Sequence, residues 1–156
     1  IDDMCSGMLG FEPVVHMFVE YDNDEGSITN DVEVASAISL IDSLDGLLKV
    51  NKKILREDSK VPVNEIGKFL NWLRKYNIPA YANIDVGLVH PYFAENASYE
   101  ISELYKVVKS INGSVGWEHG LGLLKKEHAS PDRKRRAEVL KQHYDPSNMM
   151  NRGKVL

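Results

Sequence analysis

The sequence predicts an α+β domain in which a mostly antiparallel sheet is covered by helices, with further helices toward the C-terminal end. Three observations lead there. Four segments repeat apolar residues every three or four positions, two stretches rich in Val, Ile, Phe and Tyr lack that spacing, and 156 residues at 17.6 kDa suit one domain with its own core. No internal repeat or low-complexity tract is visible.

In chain order, residues 14–21 read as a strand. Asn30 with Glu33 resembles a capping box, opening a helix that carries Val34, Ala37, Ile38, Ile41 and Leu44 and stops at Asp45-Gly46. Short strands are expected at 47–51 and 60–63. Residues 64–76 give the clearest helix, capped by Asn64, with Ile66, Phe69, Leu70, Leu73 and Tyr76 on one face. Residues 80–93 are too long for one strand; a break near Asp85-Val86-Gly87 predicts a hairpin or bulged pair, since Gly87 accepts backbone angles that other residues resist. From Ser98 a second stripe runs through Ile101, Leu104, Tyr105, Val108 and Ile111 to a stop at Asn112-Gly113. Ser130, Pro131 and Asp132 open a last helix reaching about Tyr144. Strand-helix-strand units followed by helices correspond to ferredoxin-like layers.

Composition narrows the function. With 43% hydrophobic and 27% charged residues, mean hydropathy −0.31 and no apolar run of membrane-spanning length, the chain reads as a globular domain without a transmembrane helix. Nineteen Lys and Arg against 23 Asp and Glu leave a net charge of −4, which gives no electrostatic reason to bind nucleic acid. The basic cluster of Lys125, Lys126 and Arg133, Lys134, Arg135 and Arg136 is interleaved with Glu127, Asp132 and Glu138 and reads as a solvated helix face. The single Cys5 fits a reducing compartment, so a cytoplasmic location is expected, with a position peripheral to the membrane left open. The Asn96 and Asn112 acceptor patterns for glycosylation read as chance, and a start at Ile1 in place of Met predicts a segment upstream.

Residues 113–126 are the informative stretch. Gly116, Gly120 and Gly122 let the backbone turn tightly around Glu118 and His119, a carboxylate beside an imidazole that can bind a metal or move a proton. His90 lies in a strand, and Asn83 and Asp85 alternate onto one face of the strand before it, so polar side chains would converge at the sheet end if the two pair. A lone strand histidine is also compatible with a packed, hydrogen-bonded core residue.

Glu118-His119-Gly120-Leu121-Gly122 with Lys125, then Asp145-Pro146 and residues 151–156, resembles the tail of the FAD-linked oxidase C-terminal domain shared by glycolate oxidase, D-lactate dehydrogenase and D-2-hydroxyglutarate dehydrogenase. Glu57-Asp58, Val61-Pro62-Val63, the Asn64 helix and the His90 strand follow the family's order, and the resemblance covers roughly the last hundred residues. It implies that residues 1–156 are a substrate-binding cap domain, whole or truncated at its N-terminus, and that FAD is held mainly by another domain absent from this chain, in the same polypeptide or in a separate subunit. It also implies an FAD-dependent 2-hydroxy acid dehydrogenase that is inactive as a fragment, with a small D-lactate- or glycolate-like substrate.

Residue by residue, the family's Gly-His-x-Gly-Asp-Gly-Asn-x-His strand motif sets its second histidine on His90 and its first on Asn83, and of its centre only Gly87 is kept. The glutamate that ligates a divalent metal in metal-dependent members falls on Glu118. His90 and Glu118 are then a depleted metal site unless Asp85 or substrate oxygens complete it, and weak metal binding or none is expected. His119 is implied to be the base that takes the substrate hydroxyl proton, and Asn151 to lie near flavin or substrate, with Arg152 replacing the family's proline. Lys52, Lys53 and Arg56 are candidates for binding a substrate carboxylate, although exposure is expected for most of them. Trp72, off its helix's stripe, is read as a contact to a partner domain and Trp117 as a wall of the site. The competing reading is a non-catalytic module that binds a ligand or subunit at its sheet edge and carries a degraded oxidase site, favoured by Asn83, Val86 and Leu88. A free-standing metal hydrolase lacks a third convincing ligand.

Overall fold

The computed structural model describes residues 31–50 and 55–154. The expected strand at 14–21, Asn30, Cys5, Lys52 and Lys53 lie outside them.

Two consecutive helices, α1 (Asp31–Asp42) and α2 (Leu44–Val50), come first. They correct two expectations: Gly46 lies inside α2 instead of ending a helix, and the strand expected at 47–51 is helix as far as Val50. Leu44 is buried and Ile38 is exposed. Strands β1 (Leu55–Arg56) and β2 (Ser59–Lys60) follow. Val63, assigned to a strand by its apolar neighbours, belongs instead to a short 3-10 turn, Val63–Glu65, which leads into α3 (Ile66–Lys75). Asn64 therefore sits within that turn and does not cap the helix, whose N-cap is Glu65 with no side-chain cap bond. Ile66, Phe69 and Leu73 are buried as their spacing requires, whereas Tyr76 lies past the helix and is exposed.

Residues 80–93 form a hairpin, β3 (Ala80–Asn83) and β4 (Leu88–Phe93), broken where expected. Gly87 shows why a glycine is needed: its φ is +66°, and a Cβ there would come within 2.1 Å of the Val61 carbonyl oxygen. Helix α4 (Ser98–Ser110) buries Leu104, Tyr105 and Val108. Its stop uses Asn112 as the left-handed residue (φ +57°), while Gly113 is needed for close approach, since a Cβ would meet the Lys60 carbonyl oxygen at 2.6 Å. A strand the sequence did not signal, β5 (Ser114–Val115), comes next, and α5 (Pro131–Tyr144) closes the series, with Ser130 Oγ accepting from the Arg133 amide.

The five strands make one antiparallel sheet around β4, which pairs with β3 on one side and with β1 and β2 on the other, β5 lying beyond β2. This is the expected α+β architecture. Val89 and Phe93 of β4 join Ile66, Phe69 and Leu73 of α3 and Leu104, Tyr105 and Val108 of α4 in one apolar core. Trp72, partly buried, packs on this core and stacks with Phe69, ring centroids 6.3 Å apart. The alternate residues of β4, Leu88, His90 and Tyr92, face the other way, and that second face carries the polar groups.

Candidate functional site

The sheet's second face is assembled by register. Arg56 on β1 pairs with Tyr92, Tyr81 on β3 pairs with His90, and one step from the Ser59–Val89 pair sets Asp58 beside His90. Residues opposite one another on antiparallel strands share a face, so Arg56, Asp58, Tyr81 and His90 project together. The Tyr81 and His90 rings stack with centroids 4.7 Å apart. The chain leaving β5 turns back across this face and delivers Glu118 and His119. Gly116, Gly120 and Gly122 all have positive φ, which makes the turn possible.

What holds the turn is Asp58. Its buried carboxylate accepts from the backbone amides of Glu118 (2.5 Å) and His119 (2.8 Å), and Nζ of the buried Lys125 lies 3.2 Å away. Burial alone would raise this carboxyl, but the His119 amide, Lys125 and the Glu118 amide outweigh it and hold Asp58 below the usual carboxylate value. Lys125 also meets Glu57 at 2.6 Å, which corrects its reading as part of a solvated basic face. Tyr105 of α4 has its hydroxyl pushed above the ordinary tyrosine value by burial and then by the charge and hydrogen bonding of Glu57. The rest of the cluster fits the solvated reading better: Asp132 pairs with Arg135 and Arg136, although the half-buried Arg133 donates to the Gly116 carbonyl.

The result is a compact group. One ligand-type atom from each of His90, Glu118 and His119 lies within 4.8 Å of the others. Nε2 of His90, almost wholly buried, is 3.5 Å from a Glu118 carboxylate oxygen. Burial and then the nearby Arg56 charge lower the His90 pKa against the opposing pull of Glu118, so its ring is held neutral. Arg56 donates to Nε2 of His119 at 3.0 Å. A guanidinium cannot accept, so Nε2 is the acceptor in that contact, and Nδ1 lies 3.7 Å from an Asp58 oxygen.

Other sequence candidates are less central. Asn83 is exposed on the same face of β3 as Tyr81, two residues along and opposite Leu88. Asp85, the residue named as a possible completing ligand, is exposed in the hairpin turn. Asn151 lies in the C-terminal loop and lines a cavity of about 370 Å³ with Leu140, Tyr144 and Met150, apart from His90, Glu118 and His119. Trp117 lines another, of about 290 Å³, with Val115, His128 and Arg133, and Lys60 lies over its ring. In the sequence Asp58 stands only as part of a family pattern, and Lys125 as part of that pattern and of a basic cluster. The available signal was an acid pair directly ahead of an apolar strand, answered by a lysine after the glycine turn.

By their spacing the three donors could hold a divalent metal, but the positive charge of Arg56 beside them opposes it. An ion bound at about 2 Å from Nε2 of His119 would lie within ~5 Å of the Arg56 guanidinium. A dication and a guanidinium at that distance repel, which offsets part of the attraction that the Glu118 carboxylate would give an ion. A flavin ring beside the cluster meets no such conflict: the side chains of Glu118 and His119 stay 51% and 30% accessible, leaving an open side.

No described helix is long and apolar enough to cross a membrane. No curated protein matches the chain. The family profile for FAD linked oxidases, C-terminal domain, matches residues 33–155, a span that holds every group of the cluster just described. By that match over most of its length, the chain belongs to the FAD-linked oxidase C-terminal domain family of oxidoreductase modules.

Proposed function

We propose that residues 1–156 are the substrate-binding domain of an FAD-dependent 2-hydroxy acid dehydrogenase acting on a D-lactate- or glycolate-like substrate, with the flavin bound chiefly by a partner domain. The observation that carries this reading is the convergence of His90, Glu118 and His119 on one face of the sheet.

Oxidising a 2-hydroxy acid removes a hydride from the α carbon and a proton from the hydroxyl, leaving a 2-oxo acid. The flavin, when bound, supplies the acceptor for the hydride. In this chain His119 takes the proton at Nε2, the nitrogen that accepts from Arg56, while Nδ1 faces Asp58. Arg56 receives the substrate carboxylate, for which its planar fork of donors is suited. The carboxylate and Nε2 of His119 compete for the same guanidinium, so substrate binding uncovers the lone pair that the hydroxyl needs. His90 and Glu118 shape the polar wall, His90 as a buried neutral ring braced by Tyr81. Asn83 borders that wall, and Asn151 serves the substrate or flavin side only if the C-terminal loop turns toward it.

The test is anaerobic flavin reduction in the flavin-loaded protein with D-lactate, glycolate and 1,2-propanediol, which lacks the carboxylate. Rapid bleaching of the flavin by a 2-hydroxy acid, and reduction at least 100-fold slower by the diol, is expected. No reduction by any 2-hydroxy acid would overturn the reading and favour a non-catalytic binding module.

A further inference from the structure

We propose that Arg56 stands in for the divalent metal of the metal-dependent members: it is the site's fixed cation, and the site takes up no metal while it is present. This rests on reading the cluster as a 2-hydroxy acid site. In such chemistry a cation is needed to draw in the carboxylate and to orient the hydroxyl against the base, and either a metal or a guanidinium can supply it.

Four features of the chain point to the guanidinium. Arg56 reaches the cluster from β1, on the same face as His90, through the Arg56–Tyr92 pair. Its Nη2 donates to Nε2 of His119 at 3.0 Å, which engages one of that ring's two possible ligand atoms, and its Nη1 lies 3.4 Å from the Tyr81 hydroxyl. The position of the family's first histidine is Asn83, a neutral and weak ligand. And the three donors that do converge, His90, Glu118 and His119, are close enough to hold an ion once the competing positive charge is gone. The arrangement is thus a metal site in its donors and an arginine site in its charge.

The test needs no flavin. The full 156-residue chain is titrated with Zn²⁺ and with Mn²⁺ by calorimetry, and the dialysed protein is analysed for bound metal. The wild-type chain is expected to retain no stoichiometric metal. Arg56→Met should bind Zn²⁺ at least tenfold tighter than wild type, Arg56→Lys should not, and adding Glu118→Gln to Arg56→Met should abolish the gain. Should Arg56→Met fold poorly, Arg56→Gln, which keeps a polar head beside Tyr81, should show the same gain. Stoichiometric metal in the dialysed wild type, or unchanged Zn²⁺ affinity in the folded charge-removed variant, would overturn the proposal. Both outcomes are read without substrate turnover, so they are separate from failure of the dehydrogenase assignment.

Discussion

Asp58 and Lys125 decide the geometry of the turn that carries Glu118 and His119. Lys125 neutralises two carboxylates in a largely buried place, and a buried pair broken on one side leaves uncompensated charge. Lys125→Met is therefore expected to cost about 3–5 kcal/mol in urea unfolding, and to raise hydrogen exchange at the Glu118 and His119 amides that Asp58 accepts. Intact protection of those amides would show that the turn holds itself. A second carboxylate acts the same way at the C-terminal end. Asp145 accepts from the amides of Met149 and Met150 and pairs with Lys141, which first and most strongly depresses its pKa to about 2. A carboxyl whose pKa is lower folded than unfolded stabilises fully above the unfolded value of 3.8 and loses that contribution as pH falls toward about 2. Asp145→Asn should flatten the decline of the urea midpoint across that window; an unchanged decline would place the acid sensitivity elsewhere.

At the scale of elements, the hairpin and the glycine turn present the site, and their glycines are not equivalent. Gly87 combines positive φ with a Cβ position that collides with the Val61 backbone, whereas Gly120 has positive φ and open space around it. Gly87→Ala is expected to cost about 3 kcal/mol and Gly120→Ala only ~1 kcal/mol in denaturant unfolding; equal costs would mean that the β2–β4 contact is looser than it looks. Helical stripes and turn residues made α3, α4, α5 and the β3–β4 hairpin legible in the sequence. Strands β1, β2 and β5 are two residues long, too short to show any period, and each is defined by its pairing partner. The strand expected at 47–51 failed for the converse reason: Leu47, Leu48 and Val50 are apolar enough for a strand, but they continue a helix whose intrinsic preference Gly46 does not override.

For the molecule as a whole, alternation along β4 divides the labour, with Val89 and Phe93 in the core and His90 on the working face. Phe69→Ala, in the centre of that core, should cost about 3–5 kcal/mol, while Val139→Ala on the exposed side of α5 should stay within ~0.5 kcal/mol. Of the candidate site residues, Glu118 and His119 were legible from their types and glycine context, and His90 from its place in the family's strand motif. Their dependence on Asp58, Lys125 and Arg56 was not, because those contacts span roughly 60 residues and exist only once β2 has paired with β4 and β5. The central claim is that Nε2 of His119 accepts the substrate proton. Single-turnover flavin reduction by D-lactate in the flavin-loaded protein tests it, comparing His119→Gln with His128→Gln, whose imidazole packs on Tyr105 away from the cluster. The account predicts a loss of at least about 100-fold for His119→Gln and a rate within about twofold of wild type for His128→Gln; equal rates for the two variants would contradict it.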